Sequence, residues 1–363
     1  MAMRERLDKA IDNALGARIV GCVILVSENG ALTYSRAAGL ADREAGTPMR
    51  EDAIFRIASV TKPIVATAAL RMADLGLLSL DEPVTRYLPN FRPKAPDGST
   101  PDILIRHLLT HSSGLTNNLP PEVAGGLSGP LISLDENLRR LARVPLAFMP
   151  GTAWEYGMSI DVLGGVLAAI NSSELSDVAA RYVTGPLGMT DTWFGVKGPS
   201  RLVTPYADDS PPRTMNDPER VVGEDGGVTV FSPSRIGEPR APQSGGAGMA
   251  GTARDLMKLL EALRAGEILK PATRDAAFAN QIGDLAMRPR DTGKRFGFLG
   301  TVVVDAAEAK PRSPVGTVAW GGAWGHNWSI DPARQISMVT YTNTAFEGCN
   351  GRFRDEIYRA IYD

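Results

Sequence analysis

Apolar residues recur four positions apart at both ends of the chain, which is the spacing of one face of a helix. Between residues 3 and 15 this pattern predicts an amphipathic helix that ends at Gly16. Between residues 353 and 361 it predicts a second helix. The positions are Met3, Leu7, Ile11 and Leu15 in the first helix and Phe353, Ile357 and Ile361 in the second. We therefore expect one amphipathic helix at each end of the fold.

Runs rich in Val and Ile predict strands beside both helices. Residues 18–27 and 31–36 flank the turn signal Glu28-Asn29-Gly30 and predict an antiparallel hairpin. The strands predicted before the last helix cover residues 296–304, 315–320, 327–330 and 335–342. The similarity of the two ends favours one antiparallel sheet built from both and covered by both terminal helices, with the middle of the chain inserted.

The middle of the chain is mostly helical in pattern. The clearer helix candidates are residues 59–75, 102–109, 134–142, 159–170, 175–183 and 252–263. Residues 199–242 differ, because they hold 8 of the 26 prolines in 44 residues and show little periodicity. A stretch of this length favours a functional lid or pocket rim, with a disordered segment as the alternative.

These patterns predict an α+β fold, an antiparallel sheet flanked by terminal helices plus a mostly helical lobe. Residues 1–60 and 245–363 are expected to form the α/β lobe. Residues 61–244 are expected to form the helical lobe, which includes the excursion at 199–242.

Composition narrows the function classes. The chain of 363 residues has 39 Lys and Arg against 41 Asp and Glu, without a basic excess, so nucleic acid and anionic membrane surfaces are not expected partners. Two cysteines, Cys22 and Cys349, form no disulfide framework, and no Cys/His cluster has zinc-ligand spacing. We expect no metal and no cofactor. The amino terminus lacks the apolar core of a signal peptide, which predicts a cytoplasmic protein.

One short motif carries candidate chemistry. The chain has no G-x-S-x-G pentapeptide and one S-x-x-K, Ser59-Val-Thr-Lys62. A lysine one helical turn after a serine lies on the same face and can activate it without histidine. Pro63 belongs in the first turn of a helix, which puts the helix start at or just before Ser59. Free backbone N–H groups then surround the serine. The alternative is a capped surface helix with a solvated lysine.

The order of further segments resembles the serine β-lactamase and penicillin-binding-protein superfamily over nearly the whole chain. Ser59-x-x-Lys62 matches the family's first motif, and residues 108–115, 150–156, 185–189 and 245–255 resemble its recurring landmarks. The resemblance implies a β-lactamase/DD-peptidase-like fold. It also implies that Tyr156 opens the second motif and helps to carry the serine proton. The third motif falls at Trp320-Gly321-Gly322.

Departures from the family pattern point to a different substrate. Tyr156-Gly157-Met158 lacks the amide of Tyr-x-Asn, and Trp320 replaces the lysine that meets an anionic substrate. Both changes resemble the family VIII carboxylesterases and imply uncharged esters. We therefore expect Met158, Trp320, Gly321 and Gly322 to contact substrate, with the two glycines allowing close approach.

His326, just after the third motif, lines the pocket or packs beside the strand, and the sequence favours neither; we include it among the candidate substrate contacts. His107 and His111 lack the H-E-x-x-H pattern and are interpreted as structural. Residues 246–251 satisfy G-x-G-x-x-G, but a proline-rich stretch precedes them instead of a buried strand, which argues against a dinucleotide site.

The expected activity is that of a serine carboxylesterase acting on small neutral esters. Ser59 would attack the ester carbonyl while Lys62 and Tyr156 relay its proton. By analogy with the family, the backbone N–H groups of Ser59 and Ala323 would form the oxyanion hole. The alternatives are a β-lactamase or DD-peptidase-like hydrolase, an acyltransferase that uses the same acyl-enzyme, and a non-catalytic binding protein. The physiological ester and the oligomeric state stay open.

Overall fold

A computed structural model describes residues 2–223 and 226–363 of the chain. The helices are α1 (Met3–Ala14), α2 (Thr61–Asp74), α3 (Ile105–Leu109), α4 (Leu134–Leu141), α5 (Ser159–Asn171), α6 (Leu175–Ala179), α7 (Ala253–Ala265), α8 (Pro271–Ala277) and α9 (Arg352–Tyr362). The strands are β1 (Gly21–Glu28), β2 (Ala31–Asp42), β3 (Thr47–Pro48), β4 (Phe55–Arg56), β5 (Trp193–Phe194), β6 (Tyr206–Ala207), β7 (Arg213–Thr214), β8 (Glu219–Val222), β9 (Val228–Phe231), β10 (Met249–Gly251), β11 (Lys294–Phe296), β12 (Thr301–Val303), β13 (Val318–Gly322), β14 (His326–Asp331) and β15 (Ile336–Thr342).

The main sheet joins the two ends of the chain. It has eight strands in the order β11-β12-β13-β14-β15-β1-β2-β3, and the paired strands are antiparallel. At its centre β1 pairs with β15, so that Cys22 lies opposite Thr342. The expected antiparallel sheet is therefore confirmed, and its middle is the place where the first and last strands meet.

Alternation along β1 places apolar side chains on both faces of the sheet. Ile24 and Val26 belong to a cluster with residues of α1 and α9, which pack against each other on that face. Val23 and Leu25 belong to the larger core on the opposite face, which continues into α2, α5 and α7. Both faces of β1 are therefore covered, and the two terminal helices cover one of them as expected.

A small second sheet holds the segment that leads into α2. Its order is β4-β10-β5, with Arg56 opposite Ala250. The N–H of Ile57 also donates to the carbonyl of Met249 at 3.0 Å. A 3-10 turn at Ala58–Val60 follows, and α2 begins at Thr61. This pairing fixes residues 57–62 beside the residues just before β10.

Several predicted bounds are wrong. Residues 296–304 form the hairpin β11–β12 instead of one strand, because Gly297 and Gly300 make its turn, joined by a backbone hydrogen bond of 2.8 Å. Helix α3 begins at Ile105, three residues later than expected, and α8 was not predicted. The excursion at 199–242 contains the short paired strands β6 to β9. Among the described residues no helix is long and apolar enough to cross a bilayer. The division into two lobes stays a prediction.

Candidate active site

Ser59 lies in the tight turn that opens α2. Ala58 before it adopts a positive φ of 44°, a conformation that non-glycine residues rarely take and that tends to occur at functional sites. The turn places Lys62 on the same side as Ser59, and the Lys62 side chain is almost fully buried. Lys62 Nζ donates to Ser59 Oγ at 3.2 Å and to the carbonyl of Gly246 at 2.7 Å. The predicted start of this helix near Ser59 agrees with the structure.

Tyr156 completes the group. Its phenolic OH donates to Ser59 Oγ at 2.7 Å, and Lys62 Nζ lies 4.5 Å from the centre of its ring. The structure thus brings Ser59, Lys62 and Tyr156 together, with the serine oxygen in hydrogen-bond contact with both neighbours. Two proton-carrying groups on one hydroxyl is the arrangement required to activate a serine without a histidine.

His111 packs against the ring of Tyr156 and accepts a hydrogen bond from the next residue. The N–H of Gly157 donates to His111 Nδ1 at 3.3 Å, and the His111 ring packs 4.6 Å from that of Tyr156. Burial holds the pKa of His111 well below its usual value, and the charges of Lys62 and Arg288 add to this. The imidazole is therefore neutral and able to accept at Nδ1. This agrees with the structural role assigned from the sequence and adds a contact that orients the tyrosine.

Asp161, which the sequence analysis missed, lies behind Lys62. It is a buried carboxylate in the first turn of α5, and Ser244 Oγ donates to it. Burial raises its pKa, while the charge of Lys62 and hydrogen bonds from Ser244 and the N–H of Gly246 oppose the rise. Gly246 separates the two side chains, since a Cβ there would lie 2.3 Å from Asp161 Oδ2 and 3.3 Å from Lys62 Nζ. A signal was available, because Asp161 is the one charged residue of an otherwise apolar helix.

Trp320 of β13 packs against the ring of Tyr156. Its indole Nε1 donates to the Tyr156 OH at 3.4 Å, and the two rings lie 5.1 Å apart. Phe296 packs edge-on against Trp320 at 5.3 Å, and Trp154 packs against Phe296 at 5.5 Å. The predicted third motif is therefore adjacent to Ser59 through Tyr156.

Arg288, which the sequence analysis also missed, places a positive charge beside Tyr156 and Trp320. Its guanidinium carbon lies 5.5 Å from the Trp154 ring centre, 5.8 Å from that of Tyr156 and 5.5 Å from that of Trp320. Its Nε forms an ion pair with Asp291 at 2.7 Å. An arginine from the segment before β11, paired with Asp291, thus lies beside the rings of Trp154, Tyr156 and Trp320. No local pattern in the sequence marks this residue.

The glycines of the third motif let β13 pack closely against other segments, and their predicted contact with substrate stays a prediction. A Cβ on Gly322 would lie 2.5 Å from the Ile57 carbonyl oxygen, and one on Gly321 would lie 2.8 Å from Cys349 Sγ. These contacts let β13 pack against the turn that carries Ser59 and against the segment before α9. Close approach is therefore made by protein atoms. Ala323 follows directly, and its carbonyl accepts from the N–H of Phe346 at 3.1 Å.

Two predicted substrate contacts are buried elsewhere. Met158 is 3% exposed and packs in the main core. His326 is 1% exposed, its Nε2 is hydrogen-bonded to the Arg56 carbonyl at 2.7 Å, and its ring packs between Phe55 and Tyr341. Burial lowers the pKa of His326 to about 4. Met158 fills the core and His326 is hydrogen-bonded to β4, which is the packing alternative for His326; contact of the two side chains with substrate stays a prediction.

A cavity of about 410 Å³ lies beside Arg56, Ala247 and Trp324. One wall is formed by residues 232–243, the later part of the proline-rich excursion, and another by residues 247–249. The excursion therefore forms a pocket rim. In the described part of the chain no group of three His, Cys, Asp or Glu side chains is placed to hold a metal ion.

Comparisons with known proteins identify the family of the chain. The Beta-lactamase family model matches residues 7–361. Esterase EstB from Burkholderia gladioli is 46% identical, over 99% of this chain and 95% of the relative. The solved structure of EstCE1, described as a hydrolase with promiscuous acyltransferase activity, superposes with a TM-score of 0.94 at 38% identity, over 99% of this chain and 98% of that one. A penicillin-binding protein from Bacillus halodurans shares the fold, with a TM-score of 0.73 at 19% identity, over 98% of both chains. The chain belongs to the Beta-lactamase family, and the fold predicted from its motifs is confirmed.

Proposed function

We propose that this protein is a serine carboxylesterase that hydrolyses short-chain or small esters through an acyl-enzyme on Ser59. The observation that carries the proposal is that Ser59 Oγ is in hydrogen-bond contact with both Lys62 Nζ and the Tyr156 OH. The similarity to Esterase EstB over nearly the whole chain supports an ester as substrate. The replacement of lysine by Trp320 in the third motif supports a substrate that is uncharged near the scissile bond.

The reaction has two steps, acylation of Ser59 and hydrolysis of the acyl-enzyme. Ser59 Oγ attacks the ester carbonyl, and its proton passes to the pair formed by Lys62 and Tyr156. The same pair returns that proton to the leaving oxygen, so that an alcohol departs and an acyl-serine remains. Water then attacks the acyl carbon, its proton follows the same path to Ser59 Oγ, and a carboxylic acid is released.

We propose the backbone N–H groups of Ser59 and Ala323 as the oxyanion hole. Support comes from Gly322, where a Cβ would lie 2.5 Å from the carbonyl oxygen of Ile57 and 3.3 Å from Val60 Cγ2, residues that flank Ser59 in the chain. Strand β13 therefore ends beside the serine turn, and Ala323 is the next residue. The positive end of α2 adds to the stabilisation of a negative oxygen there.

Hydrolysis of 4-nitrophenyl butyrate tests the proposal. Ser59→Ala is expected to abolish turnover, and Lys62→Ala and Tyr156→Phe to lower kcat by about 100-fold or more with a smaller change in KM, since both act in the transition state. Ser99→Ala, an exposed serine bound to Asp97, is the matched control. A phosphonate probe should add its mass at Ser59. Full activity of a folded Ser59→Ala protein would refute the proposal.

Acyl transfer to an alcohol is a second candidate, favoured by the described acyltransferase activity of the similar EstCE1. The acyl-enzyme is the same, and only the second nucleophile differs. Product analysis with added 1-butanol distinguishes the two, since transfer yields a butyl ester and hydrolysis yields free acid. Nitrocefin turnover faster than ester turnover would instead favour β-lactamase activity, and an acyl adduct that never turns over would favour a binding protein.

A further inference from the structure

The cavity of about 410 Å³ is distinct from the Ser59 group, but two of its lining residues directly follow residues near that group. Neither Ser59, Lys62 nor Tyr156 lines it. Ala247 in its wall follows Gly246, the residue that accepts from Lys62, and Trp324 in its wall follows Ala323. Its volume falls in the lower part of the range of small-molecule sites. The cavity is therefore adjacent to the catalytic group and large enough for a small ligand.

Two arginines without ion-pair partners line this cavity. Arg56 Nε donates to the Pro233 carbonyl at 2.8 Å and its Nη1 to the Val203 carbonyl at 3.0 Å. Arg235 is 8% exposed, and its Nη1 donates to the Gly129 carbonyl at 2.9 Å. Neither guanidinium forms a salt bridge with a carboxylate among residues 2–223 and 226–363, and Arg235 Nη2 is buried with no hydrogen-bond partner there.

The charge of these arginines is poorly compensated. Buried charges are normally paired, because their removal from water is costly. Burial lowers the pKa of Arg56 to about 10 and also lowers the pKa of Arg235, with Asp217 and Asp161 opposing these shifts from a distance. Glu238 lines the cavity too, but it is paired with Arg240 at 3.0 Å. The cavity therefore carries a net positive charge.

The walls around the arginines are apolar and aromatic. Trp324 and Phe194 line the cavity with Leu127 and Ile236, and Arg56 lies 5.7 Å from the centre of a Trp324 ring. Backbone carbonyls accept from Nε and Nη1 of Arg56 and from Nη1 of Arg235, and neither side chain is paired with a carboxylate among the described residues. Two guanidiniums without a carboxylate partner favour an anion, and the aromatic walls favour an organic anion such as a carboxylate over a small inorganic one.

We propose that this cavity binds a small monocarboxylate with a flat apolar body, its carboxylate at Arg56 and Arg235 and its body against Trp324 and Phe194. The inference goes beyond the proposed esterase activity. The same chemistry has two possible sources, a free carboxylic acid or the remote acid end of an ester whose carbonyl is at Ser59. Binding can be measured without turnover, so its failure is distinguishable from failure of the esterase proposal.

Calorimetric titration of the unmodified protein with 4-phenylbutyrate and with its neutral amide, 4-phenylbutanamide, tests the site. We expect the acid to bind at least tenfold more tightly than the amide. Arg235→Gln should remove that preference, and Arg220→Gln, an exposed arginine of β8 that does not line the cavity, should keep it. Gly237→Phe provides a second variant, because a Cβ there meets nothing within 4 Å and the ring would fill the cavity. It should abolish binding of both compounds.

Inhibition of 4-nitrophenyl butyrate hydrolysis by 4-phenylbutyrate distinguishes the sources. Competitive inhibition assigns the cavity to the remote end of the ester, and binding with unchanged kinetics assigns it to a separate acid; both support the site. Equal affinity for acid and amide would overturn the proposal. It would also fail if a folded Gly237→Phe protein bound the acid as before, or if the preference for acid survived in a folded Arg235→Gln protein.

Discussion

Gly246 is the position where one added methyl group tests how Lys62 is held. Its carbonyl accepts from Lys62 Nζ at 2.7 Å. The Cβ of an alanine would lie 2.3 Å from Asp161 Oδ2, whereas non-bonded heavy atoms rest about 3.5 Å apart. Gly246 has no positive φ, so the substitution acts through this contact and not through backbone strain. The Gly246→Ala variant must therefore move the Asp161 carboxylate and the Lys62 acceptor apart by about 1 Å.

The expected effect follows from that displacement. A shift of about 1 Å in a catalytic group costs on the order of 100-fold in rate, so we predict a fall of about 100-fold in kcat. Extra volume in a packed interior also lowers the free energy of unfolding by about 1 to 3 kcal/mol. Hydrolysis of 4-nitrophenyl butyrate measures the first effect, and urea unfolding measures the second.

The matched control is Gly125→Ala, where the nearest atoms to a Cβ are 3.8 and 3.9 Å away and no positive φ is required. This variant should keep kcat and stability close to those of the unmodified protein. If Gly246→Ala is destabilised but turns over at the normal rate, the contact is one of packing alone. That result would refute the reasoning that Gly246 positions Lys62 for catalysis.

Three further predictions concern other parts of the fold. Arg288→Met should lower kcat about tenfold, because a positive charge near Tyr156 is lost, and Arg288→Lys should recover part of it; steady-state kinetics would show no difference between them if only packing mattered. Burial lowers the pKa of His326 from 6.5 in the unfolded chain to about 4 in the fold. The unfolded chain therefore binds the proton first, and the free energy of unfolding should fall by about 3 kcal/mol as the pH drops from 6.5 to 4. His326→Gln should flatten the dependence of unfolding free energy on pH in that window, and an unchanged slope would contradict the assignment. Phe353→Ala should lower the unfolding free energy by about 3 to 5 kcal/mol in urea, since this fully buried ring packs α9 against α1; a loss below 1 kcal/mol would mean that the terminal helices are not cooperative with the sheet.

The elements that the sequence predicts well are those whose evidence is local. The spacing of Leu7 and Ile11, and of Phe353 and Ile357, predicts both terminal helices because a helix face repeats within a few residues. The position of Pro63 limits where α2 begins for the same kind of reason. Motif order then predicted the family, which the comparisons confirm.

The contacts that the sequence does not predict join distant segments. Arg288 reaches the rings of Tyr156 and Trp320 because the chain between α8 and β11 passes over them, and a single arginine in a polar segment carries no such information. His326 is a case that the sequence leaves open, since its closeness to the third motif fits a pocket residue and packing beside the strand equally. In the fold its ring packs against Phe55 and Tyr341, on a side of the strand that alternation alone does not identify.

The surroundings of Gly321 and Gly322 are also contacts between distant segments that the sequence does not predict. The sequence suggests that Gly321 and Gly322 make room for substrate, but in the fold they make room for Cys349 and for the carbonyl of Ile57. A missing Cβ is visible in the sequence, and the atom that uses the space is not. The packing of β13 against the serine turn decides which atom lies beside each glycine.

The pairing of β1 with β15 has a consequence for how the protein is made. Strand β1 can pair with β2 as soon as both leave the ribosome, but its other edge waits for β15, since Cys22 lies opposite Thr342. At about 5 to 20 residues per second, translation of the intervening segment takes on the order of 16 to 64 s. Throughout that time an apolar strand edge lies open to other nascent chains. Co-expressed chaperones that bind this edge should therefore raise the yield of folded protein.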